Sequence, residues 1–258
     1  YVGNGNMTAD NSKNINVSYN DLNLVRQVTG GVPTQNYLYG GDGQKLAQHN
    51  GTQWKNYLGA GEYVAGKIYR MATAEGYIVP NTGYTAGSST GKYSYYYNLS
   101  DHLGNIRIVI GDDANATQIQ TNDYIPFGLA ISSDVSKNKY LYNGKELQDG
   151  TNWLDYGARM YYPELGRWMA IDPLAENHFP ESPFSAMGNN PIINIDPDGQ
   201  DWFRNDYTGA LIWRDSQVGN ITVNDQTFNN VGARYAWTSS ISDGNGGTQT
   251  VLYIGAAD

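Results

Sequence analysis

Short tyrosine-bearing runs closed off by glycine or asparagine recur along this chain, and that alternation restricts its fold more than any other feature. Val17-Ser18-Tyr19-Asn20 is followed by Tyr37-Leu38-Tyr39-Gly40-Gly41-Asp42-Gly43, and comparable tyrosines stand about 18 to 20 residues apart. Tyrosine suits a pleated surface with one apolar and one wet side, and glycine and asparagine accept the positive backbone angles of tight hairpins. The spacing predicts one hairpin per unit, repeated as an array. The clearest hairpin is Tyr95-Tyr96-Tyr97-Asn98-Leu99, the polar turn Ser100-Asp101-His102-Leu103-Gly104-Asn105, then Ile106-Arg107-Ile108-Val109-Ile110. Residues 119–130 and Tyr140-Leu141-Tyr142-Asn143-Gly144-Lys145 continue the rhythm, with Asn143-Gly144 a type I′ turn candidate. The β pattern is expected to persist to about residue 162, loosening around Pro80 between residues 73 and 91.

Composition narrows the function classes. Of 258 residues, 31 are glycine and 22 tyrosine against 5 phenylalanines, so helices should be few. A formal charge of −9 without a basic run disfavours nucleic acid and anionic membrane surfaces as partners. Cysteine is absent, which removes disulfides and thiolate metal sites. No apolar stretch approaches the roughly 18 to 20 residues of a membrane-spanning helix. Tyr1 is not an initiator methionine, so the chain is expected to be a fragment or processed product whose targeting information lies upstream.

From Pro163 the texture changes. Pro163, Pro173, Pro180, Pro183, Pro191 and Pro197 crowd a stretch that cannot be regular sheet, because each proline removes a ladder donor. Irregular winding is expected, with short helical turns near residues 174–177 and 183–187. After Gly199 β-prone runs resume at Trp202-Phe203-Arg204, Leu211-Ile212-Trp213, Ile221-Thr222-Val223, residues 233–238 and residues 248–254.

These blocks resemble a known family. Tyr142-Asn143-Gly144-Lys145-Glu146-Leu147, Asp155-Tyr156-Gly157-Ala158-Arg159-Met160-Tyr161-Tyr162-Pro163, Gly166-Arg167-Trp168, Asp172-Pro173, Gly188-Asn189-Asn190-Pro191 and Asp196-Pro197-Asp198-Gly199 occur in the order of the Rhs repeat-associated core domain. Upstream, Asp101-His102-Leu103-Gly104-Asn105 and Tyr124-Ile125-Pro126-Phe127-Gly128 are similar to the blocks that precede that core in versions from Bacteroidetes-like bacteria. The resemblance is to Rhs/YD-repeat proteins, including C components of toxin complexes and polymorphic toxins. It implies a mainly β fold: a YD-repeat hairpin array over 1–140 forming a curved or spiral sheet as a partial shell, a proline-rich core segment over 141–200 capping it, and a small β-rich variable tail over 201–258.

The family also implies chemistry. Two core aspartates act together as an aspartyl protease that cuts its own chain once, and the matching positions here are Asp172 and Asp196, with Arg159 as the supporting basic residue that orients the charged carboxylate and a cut near Gln200-Asp201. Two carboxylates held together cannot both ionise, so one polarises the scissile carbonyl while the other activates water. Against this stands the ordinary use of Asp-Pro and Asp-Pro-Asp-Gly as turn builders. His49, His102 and His178 lack metal spacing, and Asp10, Asp112 and Asp113 lack the calcium-loop pattern, so no metal or cofactor is expected. Two functional readings follow. One is an encapsulation and delivery module of a secreted or surface protein, self-cleaving near residue 200, with its own C-terminal tail as cargo. The other is an extracellular adhesion or carbohydrate-binding module whose tyrosines meet a cell-surface or glycan partner.

Overall fold

In the computed structural model, side chains are described for residues 3–81, 92–131, 137–173, 175, 181–196 and 198–199, and backbone for four strands between 221 and 256. Twelve strands form one antiparallel meander in which each strand pairs with its sequence neighbours. They are β1 (Ala9–Asp10), β2 (Ile15–Tyr19), β3 (Val25–Gly30), β4 (Gln35–Tyr39), β5 (Lys45–His49), β6 (Trp54–Leu58), β7 (Gly61–Val64), β8 (Lys67–Ala72), β9 (Gly76–Pro80), β10 (Tyr93–Ser100), β11 (Ile106–Gly111) and β12 (Gln118–Thr121). The array of hairpins is therefore present, and the loosened stretch around Pro80 contains a strand, β9.

The repeat has a physical unit, which is its turn. At residues 20–24, 40–44 and 101–105 the first residue's N–H donates to the fifth residue's carbonyl, the fourth residue's N–H donates back to the first, and the fourth residue has positive φ. Asn23 (φ 60°), Gly43 (φ 80°) and Gly104 (φ 76°) fill that position, and a register shift marks a bulge where the preceding strand ends. This is a three-residue hairpin loop closed by a bulge, which needs asparagine or glycine at its last position. Residues 125–129 and 141–145 share the same closing bonds.

The rhythm expected to run to about residue 162 divides after Thr121. Later strands form a separate four-stranded sheet of β13 (Glu146–Leu147), β14 (Leu154–Asp155), β15 (Met160–Tyr162) and β16 (Arg167–Trp168). Asn143 and Gly144 are both at positive φ, as a type I′ turn requires, but that hairpin closes through the single bridge Tyr140–Glu146 and adds no thirteenth strand. The helical turn expected near residues 183–187 falls at Met187–Asn189, and the one expected at 174–177 lies largely outside the described residues.

The small sheet shows that the large one is curved. Laid flat, twelve strands would be roughly 50 Å across. Yet residues 137–169 touch both ends and the middle. Met7 N–H donates to Met169 O and Tyr162 hydroxyl to Asp10 at the β1 end, Gln35 bonds Asp149 O midway, and Asn143 and Asn138 bond Asn105 and Gln120 at the far end. Val17, Val25, Val28 and Tyr37 of the large sheet pack on Trp153, Met160, Tyr162 and Met169 as one buried cluster. A second cluster, with Tyr142, Tyr156, Tyr161, Trp168 and Met187, lies within the core segment. The fold is mainly β, and the large sheet is not closed, because β1 and β12 do not pair. In the tail, Ile221–Val223 pairs with Gln226–Phe228 and Arg234–Ser242 with Thr248–Ala256. The runs expected at 202–204 and 211–213 lie outside the described residues.

Candidate active site: Arg159, Asp172 and Asp196

Arg159 precedes β15, just after the turn at Gly157-Ala158, and its guanidinium lies over the indole of Trp168 on the neighbouring strand, 4.2 Å from the ring centroid. That stacking, with near-complete burial, fixes where the guanidinium points. Its Nη2 stands 2.9 Å from Asp172 Oδ2 and 3.5 Å from Asp196 Oδ2, so one nitrogen bridges both carboxylates. Its Nε donates to the carbonyl of Gly199. Three residues taken from separate sequence blocks thus converge on one group.

Asp196 is nested in its own turn. Its Oδ1 accepts from Gly199 N–H at 2.6 Å and from Asp198 N–H at 3.2 Å, and Ala158 N–H holds Asp198 O at 3.0 Å. This is the aspartate turn-building expected of Asp-Pro-Asp-Gly, and it coexists with the bridge to Arg159. Gly199 sits at φ +80°, and a Cβ there would lie 2.9 Å from Tyr156 Cβ, so glycine is needed twice over. Burial pushes the Asp196 carboxyl up to about 7, with Arg159 and the turn amides pulling the other way. Asp172 is more open and carries the ion pair with Arg159.

Beside the three residues is a cleft of about 10 Å³, walled also by Trp168, Glu181 and Ser185, which is room for about one water molecule. A protonated Asp196, a second carboxylate and a water site side by side form an arrangement able to deliver water to a carbonyl. Gln200-Asp201 itself lies outside the described residues; Gly199 is the described carbonyl nearest to it.

Sequence reasoning missed the indole under Arg159 and also Lys145, whose amine lies 5.1 Å from the Tyr156 ring centroid and is held below its ordinary value by burial, with Asp196 the leading opposing charge. Trp168 was visible only as the end of a motif, with no periodicity to mark its role. Elsewhere, His102 is exposed and meets Ile192 O at 3.1 Å, His49 lies against Trp54, and Asp10 and Asp113 accept from their own turns; His178 is outside the described residues.

No protein-family model matches the chain. Toxin subunit YenC1 of Yersinia entomophaga is 38% identical over 93 residues, 34% of this chain and 9% of that protein. The tRNA nuclease WapA of Bacillus subtilis is 25% identical over 216 residues, 77% of this chain and 9% of that protein. Among solved structures, a crystal structure of TcdB2-TccC3-Cdc42 superposes with a TM-score of 0.60 at 21% identity, over 76% of this chain and 10% of that one. The chain is an Rhs/YD-repeat relative. It spans 3% to 11% of the length of the curated relatives it matches, from Salivary gland surface protein 1 of Aedes aegypti to Toxin subunit YenC2.

Proposed function

We propose that this chain is wall and plug of an Rhs-type delivery shell, secreted or at the cell surface, and that it cuts itself once near residue 200. The observation that carries the scission is the single guanidinium, Arg159, bridging Asp172 and Asp196 while holding the Gly199 carbonyl. Asp196 keeps its proton near neutral pH and hydrogen-bonds the scissile carbonyl oxygen. Asp172 takes a proton from the water in the adjoining cleft, and that water's oxygen bonds to the carbonyl carbon. Collapse of the tetrahedral intermediate breaks the C–N bond, and Asp172 passes the proton it took from the water to the leaving amine. Arg159 keeps the two carboxylates together and neutralises charge. The boundaries 1–140, 141–200 and 201–258 then read as wall, plug and released tail, the tail being cargo.

The relatives' context supports the delivery half: toxin-complex and toxin subunits share this fold or sequence. Intact-mass measurement on the purified chain tests the other half. Two fragments split near residue 200 are expected, with Asp172→Asn and Asp196→Asn remaining whole. A wild-type chain that stays intact from pH 5 to 8 would sink the scission, and binding of glycans by that intact chain would favour the adhesion reading in its place.

A further inference from the structure

The large sheet is torn between two of its strands. β8 and β9 pair only at Met71–Ile78 and Ala72–Tyr77, next to their turn, while β9 stays paired with β10 out to Pro80–Tyr93. From Lys67 to Arg70 the β8 edge therefore faces no strand among the described residues, and neither does the facing edge of β9 at Val79 and Pro80. Into this gap opens a cavity of about 830 Å³, lined also by Tyr140, Glu146 and Leu147 of the core segment.

Two further observations say what it would hold. In a chain of charge −9 the lining carries six basic side chains and three acidic ones. The acids are taken: Glu62 and Glu146 by Lys55 and Arg70, Asp149 by Lys139. Lys67, Lys92 and Lys137 are exposed on the lining and form no ion pair among the described residues. The second is Arg70, 8% exposed, whose guanidinium is sandwiched between Tyr77 and Tyr140 at 4.4 and 4.3 Å from their centroids. Its Nη1 reaches Glu62 at 3.2 Å, but its Nε is buried and donates to nothing among the described residues. A buried donor without an acceptor costs about 1–3 kcal/mol, and an incoming acceptor recovers it.

We propose that this gap is a binding site for an acidic peptide in extended conformation. Its backbone pairs with the open β8 and β9 edges, one carboxylate accepts from Arg70 Nε, and others meet Lys67, Lys92 and Lys137 at the mouth. The volume suits a ligand of peptide-fragment size, and strand addition at an open edge supplies main-chain bonds that an acidic sugar or a free phosphate cannot make. The site is separate from Arg159 and does not depend on scission.

Calorimetric titration of the full chain with an acetylated, amidated hexapeptide of alternating glutamate and valine tests it. Hexagalacturonate, inorganic phosphate and the glutamine analogue of the peptide serve as comparators. Binding of the glutamate peptide at least tenfold tighter than any comparator is expected, weakening as salt rises. Arg70→Gln should abolish it. Because that variant also takes from Glu62 one of its two cationic partners, leaving it Lys55 alone, and can loosen the site, the exposed pair Lys92→Gln/Lys137→Gln is the second arm, with a tenfold or greater loss expected and an unchanged circular dichroism spectrum. No binding, equal binding of galacturonate or phosphate, or affinity unchanged in the lysine double variant would each overturn the proposal.

Discussion

Burial holds the Asp196 carboxyl near 7, about three units above its ordinary value, and this ties stability and chemistry to the same proton. The folded chain keeps the proton through a range in which the unfolded chain has released it. Asp196 is therefore neutral to stability below about pH 4, and its cost grows as pH rises from about 4 to about 7. Asp196→Asn removes that cost, so urea titrations should find the variant more stable than wild type at pH 8, by on the order of 2–4 kcal/mol, and equal to it at pH 3.5. The same proton is needed for the proposed scission, which should slow as pH is raised above 7. A scission rate that climbs steadily from pH 6 to 9 would contradict that role. At this scale the sequence was informative where residues stand in motifs: Asp172, Asp196 and Arg159 fall in separate blocks that the fold brings together, and Gly199 fills a turn that only glycine fits. It was silent where packing decides, as for Trp168 beneath Arg159, because an aromatic that orients a cation looks in sequence like any other core aromatic.

Hairpins were the most legible elements, for a local reason. The turns at residues 20–24, 40–44 and 101–105 are closed by their own backbone and need asparagine or glycine at one position, so the signal is written in consecutive residues. The destination of a hairpin is not local. The Asn143-Gly144 turn has the expected backbone, yet its strands do not extend the large sheet, since Ile106 N–H donates to Leu141 O and the turn docks on the 101–105 loop. There Asn105 Oδ1 accepts from Asn143 N–H at 2.8 Å, Asn143 Nδ2 donates to Leu103 O at 2.9 Å, and Tyr156 donates to Asn143 Oδ1 at 2.7 Å. Two loops 38 residues apart thus satisfy one another. Asn105→Ala strands the Asn143 amide and should cost about 1–3 kcal/mol in urea unfolding, whereas Asn36→Ala on β4, half-buried and accepting from the half-buried Gln27 side chain at 2.8 Å, should cost less because Gln27 can turn to water. Equal losses would mean that the contact between the loops carries no particular weight. The tear between β8 and β9 was not legible either, because Pro80 marks an interruption without saying which strand it parts from.

Across the whole molecule, charge joins the large sheet to the core segment, the wall and plug of the proposed shell. Glu146, buried at the start of β13, meets Lys45 at 2.8 Å and Lys55 from two adjacent strands of the large sheet, and Tyr57 donates to it at 2.8 Å. Lys45 also pairs with Asp155, so two strands of the large sheet meet two acids of the core segment, and through Lys55–Glu62 at 3.0 Å and Arg70–Glu62 at 3.2 Å the network runs on into β7 and β8. Burial by itself would raise the Glu146 carboxyl, but the two ammonium groups overcome it and hold it at about 2. A lowered carboxyl stabilises fully above its unfolded value of about 4.5, and that stabilisation is lost as pH falls from there toward 2. Asp196 weakens the fold on the other side, from about 4 to about 7, so the joint contribution of these two groups is most favourable just above pH 4. Glu146→Gln leaves Lys45 and Lys55 with one acid each and should cost about 3 kcal/mol at pH 5, while flattening the acid limb of the profile. Asp196→Asn flattens the other limb. If wall and plug fold as one unit, unfolding of Glu146→Gln followed by tyrosine fluorescence and by far-ultraviolet circular dichroism stays a single coincident transition. Two separated transitions would show that the plug can leave the wall, and that the contacts at both ends of the sheet do not suffice to hold it.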